Sequence, residues 1–367
     1  MRILIINWRC IKNPLAGGAE IYLQEIFKRL VARGYAVCQL ATKYPGAQDE
    51  ETIDGIKIIR IGTPNTFNFA VYRELPHILE AENFDLVIDD LNKIPFYSPW
   101  LTKKPVLALM MHLFRGSIFK EVPFPLASYV YLTESLIPLC YKNNYFGALS
   151  ESSKQDLIKM GIRAEKISVI PPGIDLTRYK PDLSLKTEKL ILHVGRLKRY
   201  KSIEHLLYAT KELSKKRDDF QVVIVGTGDD ETRLKKLTMN LGVQRLVNFT
   251  GYVSEEEKLR YYQKATVLVE NSIKEGWGMI VIEANACGTP VIAARSPGLT
   301  DAVCEGVSGY LYEYGNICEL TEKLELLLDN ETLNRQLGSN AITWAQRFSW
   351  DNAAQAMESL INKALGT

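Results

Sequence analysis

ISVIPPGID at residues 167–175 and KLILHVG at residues 189–195 bracket the break on which the reading of this chain turns. Before it, short apolar runs alternate with helical periodicity: RILIIN (2–7), a helix-like stretch (18–34), AVCQLA (36–41), IKIIRI (56–61), FDLVID (84–89), PVLALMM (105–111) and YFGALS (145–150). After it the rhythm restarts. KLILHVG leads to a helical segment (203–216), FQVVIVG (220–226) leads to another, and LVNFTG, ATVLVE and PVIAA continue the alternation. Continuous apolar runs of this kind suit strands buried on both faces, and therefore parallel sheets. A βαβ rhythm that runs, pauses and restarts predicts two α/β domains. The linker is expected at Pro171-Pro172-Gly173 and the polar stretch to Lys189, which contains Pro181. Helical periodicity governs from about Ile317 to the end, with Trp344, Phe348 and Trp350 near a bend.

A length of 367 residues fits two ordinary domains, and 46% apolar residues exclude a disordered chain. Forty-five Lys and Arg stand against 43 Asp and Glu, so no global basic excess points to nucleic acid. The first 180 residues hold 22 basic and 18 acidic side chains, so the excess positive charge sits in the first half. Six scattered cysteines with no CxxC pair suggest neither a zinc site nor a disulfide framework, and fit a reducing compartment. The longest apolar run, PVLALMMHLF (105–114), is too short to span a bilayer, and the N-terminal run reads as a first strand rather than a signal.

Four constellations could carry chemistry. Ala16-Gly17-Gly18-Ala19-Glu20 follows the first strand and opens a helix, where backbone can approach a ligand and free N–H groups meet an anion; a plain turn is the alternative. Gly195-Arg196-Leu197 and Lys201 follow LILHV at the end of a parallel strand, where α/β sheets bind ligands. Arg196 and Lys201 suit phosphate, whereas Lys198 and Arg199 read as a solvated basic turn. Gly226-Thr227-Gly228 ends the next strand as a second close approach or a turn. In KEGWGMIVIEA (274–284), two carboxylates lie eight positions apart, and two glycines precede an apolar helix start. First-turn amides there would face an anion, and Glu283 one turn in would accept hydrogen bonds from vicinal hydroxyls. The alternative is a glycine turn before a core helix, which would leave Glu283 a costly unpaired carboxylate. His112 ends an apolar strand; a lone His is more often structural. HExxH, G-x-S-x-G, the P-loop pattern, D-x-D and G-x-G-x-x-G are all absent from the sequence, which argues against a hydrolase, a P-loop NTPase and a dehydrogenase.

EGWGMIVIEANACGTPVIA (275–293) resembles the E-x7-E motif of retaining GT-B glycosyltransferases, the large group 1 family. AGGAE resembles that family's N-terminal glycine loop, SESSKQDL (150–157) its S-x-S helix start, and VIPPGID its V-I-P-N-G-I-D. HVGRLKRYKS resembles its V-G-R-L-x-x-x-K-G, and VGTGDD and FTGYVSEEE its next two signatures. The resemblance implies an α/β GT-B fold of two Rossmann-like domains facing across a cleft. Residues 1–178 would be the acceptor side and 179–349 the nucleotide-sugar side, with the C-terminal helix 350–367 packing back on the first domain. It implies that Arg196 and Lys201 bind the donor diphosphate, that Glu275 binds the donor sugar, and that Glu283 binds the ribose. Backbone N–H groups of Gly276, Trp277, Gly278 and Met279 would help, with Gly195, Gly226 and Ile280 nearby. Gly17 and Gly18 would face the phosphates, His112 would lie near the sugar, and Tyr252-Val253 would lie by the base. Pro172, Ser202 and Asn271 depart from the family's usual Asn, Gly and Pro.

The implied activity is transfer of a sugar from a UDP- or GDP-type donor, with retained anomeric configuration, to a glycan or lipid-linked acceptor. No cofactor and no metal site are expected, since Arg196, Lys201 and a helix N-terminus would stabilise the leaving group. The resemblance implies a front-face route in which the leaving phosphate takes the acceptor proton, and this is preferred to Glu275 acting as a nucleophile. A sugar-nucleotide epimerase of the same fold, and a non-catalytic nucleotide-sugar-binding subunit, are the rival readings. Residues 93–142 hold six Lys or Arg against Glu121 and Glu134, interleaved with Phe114, Phe119, Phe124, Tyr129, Tyr131 and Tyr141. This stretch would contact anionic membrane, or else form a core helix with solvated charges. The expected location is cytoplasmic, at the inner face of the cell membrane.

Overall fold

The computed structural model describes residues 1–92, 94–120, 123–186 and 189–366. Lys93 and Glu121 of the basic, aromatic-rich stretch, residues 187–188 of the linker, and Thr367 lie outside the described residues. The chain forms two compact units, Met1–Gly173 with Trp350–Thr367, and Ile174–Ser349. Ile174 already belongs to the second unit, because its N–H donates to Phe348 O at 3.1 Å and it bridges Ser349.

The strands of unit 1 are β1 (Arg2–Ile6), β2 (Ala36–Thr42), β3 (Glu50–Ile53), β4 (Ile56–Ile61), β5 (Leu86–Asp90), β6 (Val106–Met110), β7 (Tyr145–Ala148) and β8 (Ile167–Val169). They form one sheet in the order β3-β4-β2-β1-β5-β6-β7-β8. Every pairing is parallel except the β3–β4 hairpin. Each residue of β5 and β6 is buried, as a sheet covered on both faces requires. The apolar runs named above form β1, β2 and β4–β7 to within two residues at each end. The polar segment EETI of β3 gave no such signal. It pairs through the two-residue turn Asp54-Gly55, where both φ angles are positive, as the tight hairpin turn requires.

Unit 2 contains β9 (Leu190–Val194), β10 (Gln221–Val225), β11 (Val247–Gly251), β12 (Val267–Glu270), β13 (Val291–Ala294) and β14 (Gly309–Tyr312). Its all-parallel sheet runs β11-β10-β9-β12-β13-β14. From β9 the chain builds outward to one edge through β10 and β11, then returns to β12 and builds to the other edge. The strand order therefore reverses between β9 and β12, which is where an open α/β sheet has its ligand crevice.

The bend near the C-terminus separates helices Glu331–Ala345 and Trp350–Leu365. Trp344 and Phe348 pack edge to face within unit 2, with centroids 5.2 Å apart. Trp350 instead packs in unit 1 against Tyr22 at 6.4 Å. Its helix is fastened to helix Gly18–Ala32 and the following turn by Arg29–Asp351 at 2.8 Å and Arg33–Glu358 at 2.7 Å.

The aromatic stretch of unit 1 forms helices Phe124–Ser135 and Ile137–Tyr141. Phe119, Phe124 and Tyr129 are exposed. Tyr141 is not an outward ring: it is fully buried, and its hydroxyl donates to Asp89. Phe114 and Tyr131 pack against a small cluster of Ile118, Ala127 and Val130. Among the described residues no helix is long and apolar enough to cross a membrane.

Candidate active site

The loops after β9 and β12 flank the reversal point of unit 2. A hydrogen bond from Ile273 N–H to Tyr200 O, 2.9 Å, ties them together. The first loop ends in a 3₁₀ turn, Arg199–Lys201. Lys201 is buried, and its Nζ lies 2.8 Å from Glu275 Oε1 and 3.6 Å from Glu270 Oε2. Burial alone would lower the pKa of this ammonium, but the two carboxylates outweigh burial and hold it above the ordinary lysine value. Ser202 follows in the left-handed region at φ 48°, which explains why glycine is the expected residue there. Its Oγ is 2.8 Å from the Tyr314 hydroxyl.

Arg196 is exposed and has no ion-pair partner among the described residues. Lys198 and Arg199 pair instead with Asp229 at 2.7 Å and Asp230 at 3.2 Å, so the turn's other cations are engaged within the protein. A Cβ on Gly226 would come within 2.0 Å of Gly195 O, and its φ is +126°. The glycine at 226 is therefore accounted for by chain packed against chain, not by approach to a ligand.

Gly278 caps the helix Met279–Ala286 in the left-handed conformation, φ 92°, and a Cβ there would lie 2.9 Å from Leu299. No side chain caps this helix start, which leaves its first amides, at Met279 and Ile280, at the mouth of the sheet. Trp277 is buried against Phe348 at 5.1 Å, so its side chain belongs to the core and only its backbone can face a ligand.

Glu283 is buried but not unpaired. Its Oε2 accepts from the Tyr262 hydroxyl at 2.7 Å and lies 3.4 Å from Lys258 Nζ. Burial would lower the Lys258 pKa, but Glu283, together with Tyr179 and Glu255, outweighs burial and holds it above the ordinary lysine value. Each carboxylate of the two-glutamate stretch thus has its own lysine. Sequence reasoning missed Lys258 and Tyr262, although their i, i+4 spacing in helix Glu255–Lys264 puts them on one face. Of the Tyr252-Val253 pair, Tyr252 is 83% exposed and presents a free ring face, whereas Val253 packs on the core.

In unit 1, the expectation of free amides at Gly17 is corrected. Gly17 N–H donates to Glu20 Oε2 at 2.7 Å, so a buried carboxylate already occupies that end of helix Gly18–Ala32 and an incoming anion would meet like charge. Gly18 is the first residue of this helix. His112 is half-buried, with its ring edge-on to Phe114 at 4.6 Å. Glu134, counted above among the surface charges, is buried and fixes the loop after His112. Its two oxygens accept from the amides of Phe114 and Arg115, each at 2.7 Å. Among the described residues no group of three or more His, Cys, Asp or Glu is placed to hold a metal ion.

Residues 177–344 match the family model of glycosyl transferases group 1, and residues 16–178 match that of glycosyltransferase family 4. Residues 177–344 thus form a group 1 glycosyltransferase domain. Among curated relatives it is 34% identical over 238 residues to D-inositol 3-phosphate glycosyltransferase of Streptomyces bingchenggensis, an alignment covering 59% of this chain and 52% of that protein. The chain thus spans about half the length of the curated relatives it matches. Among solved structures, sucrose-phosphate synthase from Thermosynechococcus elongatus superposes with a TM-score of 0.83 at 23% identity, covering 99% of this chain and 98% of that one. Anabaena Alr3699/HepE in complex with UDP-glucose gives 0.77 at 20% identity, covering 99% and 100%. The two Rossmann-like units are those of the GT-B fold.

Proposed function

We propose that the protein transfers a sugar from a nucleoside-diphosphate sugar to a glycan or lipid-linked acceptor, retaining anomeric configuration and using no metal ion. The observation that carries this reading is the Lys201–Glu275 pair at 2.8 Å, set where the strand order reverses and followed by an uncapped helix start. Charge growing on the departing diphosphate is met by Lys201 and the amides of Met279 and Ile280, and by the exposed Arg196 guanidinium reaching in from the same loop as Lys201. Glu275 accepts hydrogen bonds from the donor sugar and Glu283 from the ribose. Tyr252 offers the base a stacking face. The acceptor proton passes to an oxygen of the leaving phosphate. The UDP and UDP-glucose complexes of Anabaena Alr3699/HepE make a UDP sugar the first donor to try.

The test is thermal-shift binding of UDP, GDP, ADP and their sugars without added metal, followed by turnover with the donor that binds. Selective stabilisation by one diphosphate supports the reading. No shift with any of them overturns it. Consumption of donor with no acceptor present would favour an epimerase, and binding without turnover a non-catalytic subunit.

A second observation favours contact with anionic membrane from the cytoplasmic side. Helices Phe124–Ser135 and Ile137–Tyr141 expose Phe124 (74%), Leu132 (63%) and Leu139 (64%), with Leu126, Tyr129 and Leu136 also outward. Apolar residues grouped on a surface in this way mark an interaction face. Lys103, Arg115 and Lys142 of the same stretch supply attraction to anionic headgroups. Failure to bind anionic liposomes at low salt would remove this part of the reading.

A further inference from the structure

Lys201 stands between two carboxylates, and only one of them belongs to the motif. Glu270, the last residue of β12, is fully buried. Its Oε1 accepts from the Ser272 amide at 3.2 Å and from the Ser272 hydroxyl. Its Oε2 has no hydrogen-bond partner among the described residues and lies 3.6 Å from Lys201 Nζ. On the adjacent strand β9, His193 is also fully buried. Its Nδ1 is 3.0 Å from Val269 O, so Nδ1 carries the proton and Nε2 presents a lone pair. A Cβ placed on Gly195 would be 3.8 Å from Lys201 Nζ and 3.9 Å from His193 Nε2, so both nitrogens face one small volume beside Gly195.

We propose that Glu270 is a positioning residue for the transfer reaction, anchoring the Lys201 ammonium when the donor sugar engages Glu275. The proposal rests on the reading above, in which Lys201 and Glu275 act on the donor. Sugar hydroxyls that donate to Glu275 compete with Lys201 for its oxygens. A buried ammonium held by Glu275 alone would then follow that carboxylate or lose its partner. Glu270 is out of reach of substrate, and the Ser272 amide and hydroxyl fix its orientation. Its half of the clamp therefore stays constant while the other half exchanges partners. Tyr200, Glu275 and His193 also face the lysine electrostatically, and of its two carboxylate neighbours, Glu270 and Glu275, only Glu270 is fully shielded.

The experiment compares wild type with Glu270→Gln, Glu270→Asp and Lys201→Ala, in UDP binding from about pH 6 to about pH 11.5 and in donor turnover. Glu270→Gln keeps the shape and removes the charge. It is expected to lower kcat at least about tenfold with little change in donor KM, and to move the alkaline loss of UDP affinity down by about one pH unit or more. Glu270→Asp, which keeps the charge, is expected to restore the alkaline limb. Wild-type kcat and an unshifted UDP–pH profile in Glu270→Gln would overturn the proposal. So would equal impairment of the Gln and Asp variants with an unshifted profile, which would mark a purely structural residue. If Lys201→Ala itself bound UDP and turned over normally, the failure would lie in the underlying reading of Lys201. Should Glu270→Gln fail to fold, the Asp variant and the UDP–pH profile decide.

Discussion

The Lys201 ammonium and the Glu275 carboxylate meet at 2.8 Å although they come from loops following two different strands, β9 and β12. Those strands are neighbours only in the folded sheet. Under the proposed function the pair links donor chemistry to the stability of unit 2, because Glu270 lies behind it with no exposure.

Lys201→Ala should therefore damage both. Removing the ammonium leaves Glu270 buried and uncompensated, which costs about 3–5 kcal/mol. Urea unfolding should show that loss, and kcat/KM for the donor should fall by about a hundredfold or more. A variant of unchanged stability and activity would contradict the assignment.

Tyr262→Phe and Glu283→Ala should separate support from binding. The tyrosine variant removes one hydrogen bond to a charged group and should cost about 1–3 kcal/mol in stability, with donor KM raised only slightly. Glu283→Ala should raise donor KM about tenfold or more while leaving the half-buried Lys258 with only the exposed Glu255 as an ion-pair partner among the described residues. Steady-state kinetics with chemical denaturation on both variants would show whether the two effects part in this way.

Ser202 occupies a left-handed backbone position. Ser202→Gly should relieve strain of about 1 kcal/mol and lose the contact to the Tyr314 hydroxyl, for a net change within about 1 kcal/mol. Ser202→Val should destabilise by more than about 2 kcal/mol, because a β-branched side chain tolerates positive φ poorly. Melting curves of the two variants give the comparison.

Lys186 donates to Ala265 O, Gly288 O and Thr289 Oγ1, pairs with no carboxylate among the described residues, and burial pulls its pKa down to about 8. Its folded pKa lies below the unfolded value, so the unfolded chain binds more protons between about pH 8 and the ordinary lysine pKa. Stability from this group is therefore lowest below pH 8 and rises across that window, by at most about 1.4 kcal/mol per pH unit. Subtracting the stability–pH curve of Lys186→Met from that of wild type should expose this rise. A flat difference would show that the ammonium is solvated.

Leu132→Ser with Leu139→Ser should leave stability within about 1 kcal/mol, since both side chains are largely exposed. Sedimentation with anionic vesicles should fall several-fold if this face contacts lipid. Undiminished binding would move the contact elsewhere.

The legible parts of this protein were those written contiguously. Runs such as LILHV and VLALM announce fully buried strands because a strand covered on both faces has no polar side. The two-glutamate stretch and the loop ending at Lys201 could be singled out because each holds its glycines and charges within about a dozen residues. The segment EETI escaped because an edge hairpin needs little apolar content once Asp54-Gly55 makes its turn. Gly17 misled because a glycine before a helix looks the same whether its amide faces a ligand or, as here, Glu20.

By itself the sequence determined the two α/β units, their strand succession apart from β3, β8 and β14, and which residues stand at the ends of the strands it named, since burial on a face is encoded by local periodicity. Only the tertiary structure decided the partners. Lys201 received Glu270 as well as Glu275, Glu283 received Tyr262 and Lys258, and Lys198 and Arg199 were drawn to Asp229 and Asp230. Such pairings depend on which strands lie side by side and on how closely their loops pack, down to the 2.0 Å that a Cβ on Gly226 would leave to Gly195 O. Charges find one another through space, and no spacing along the chain records that distance.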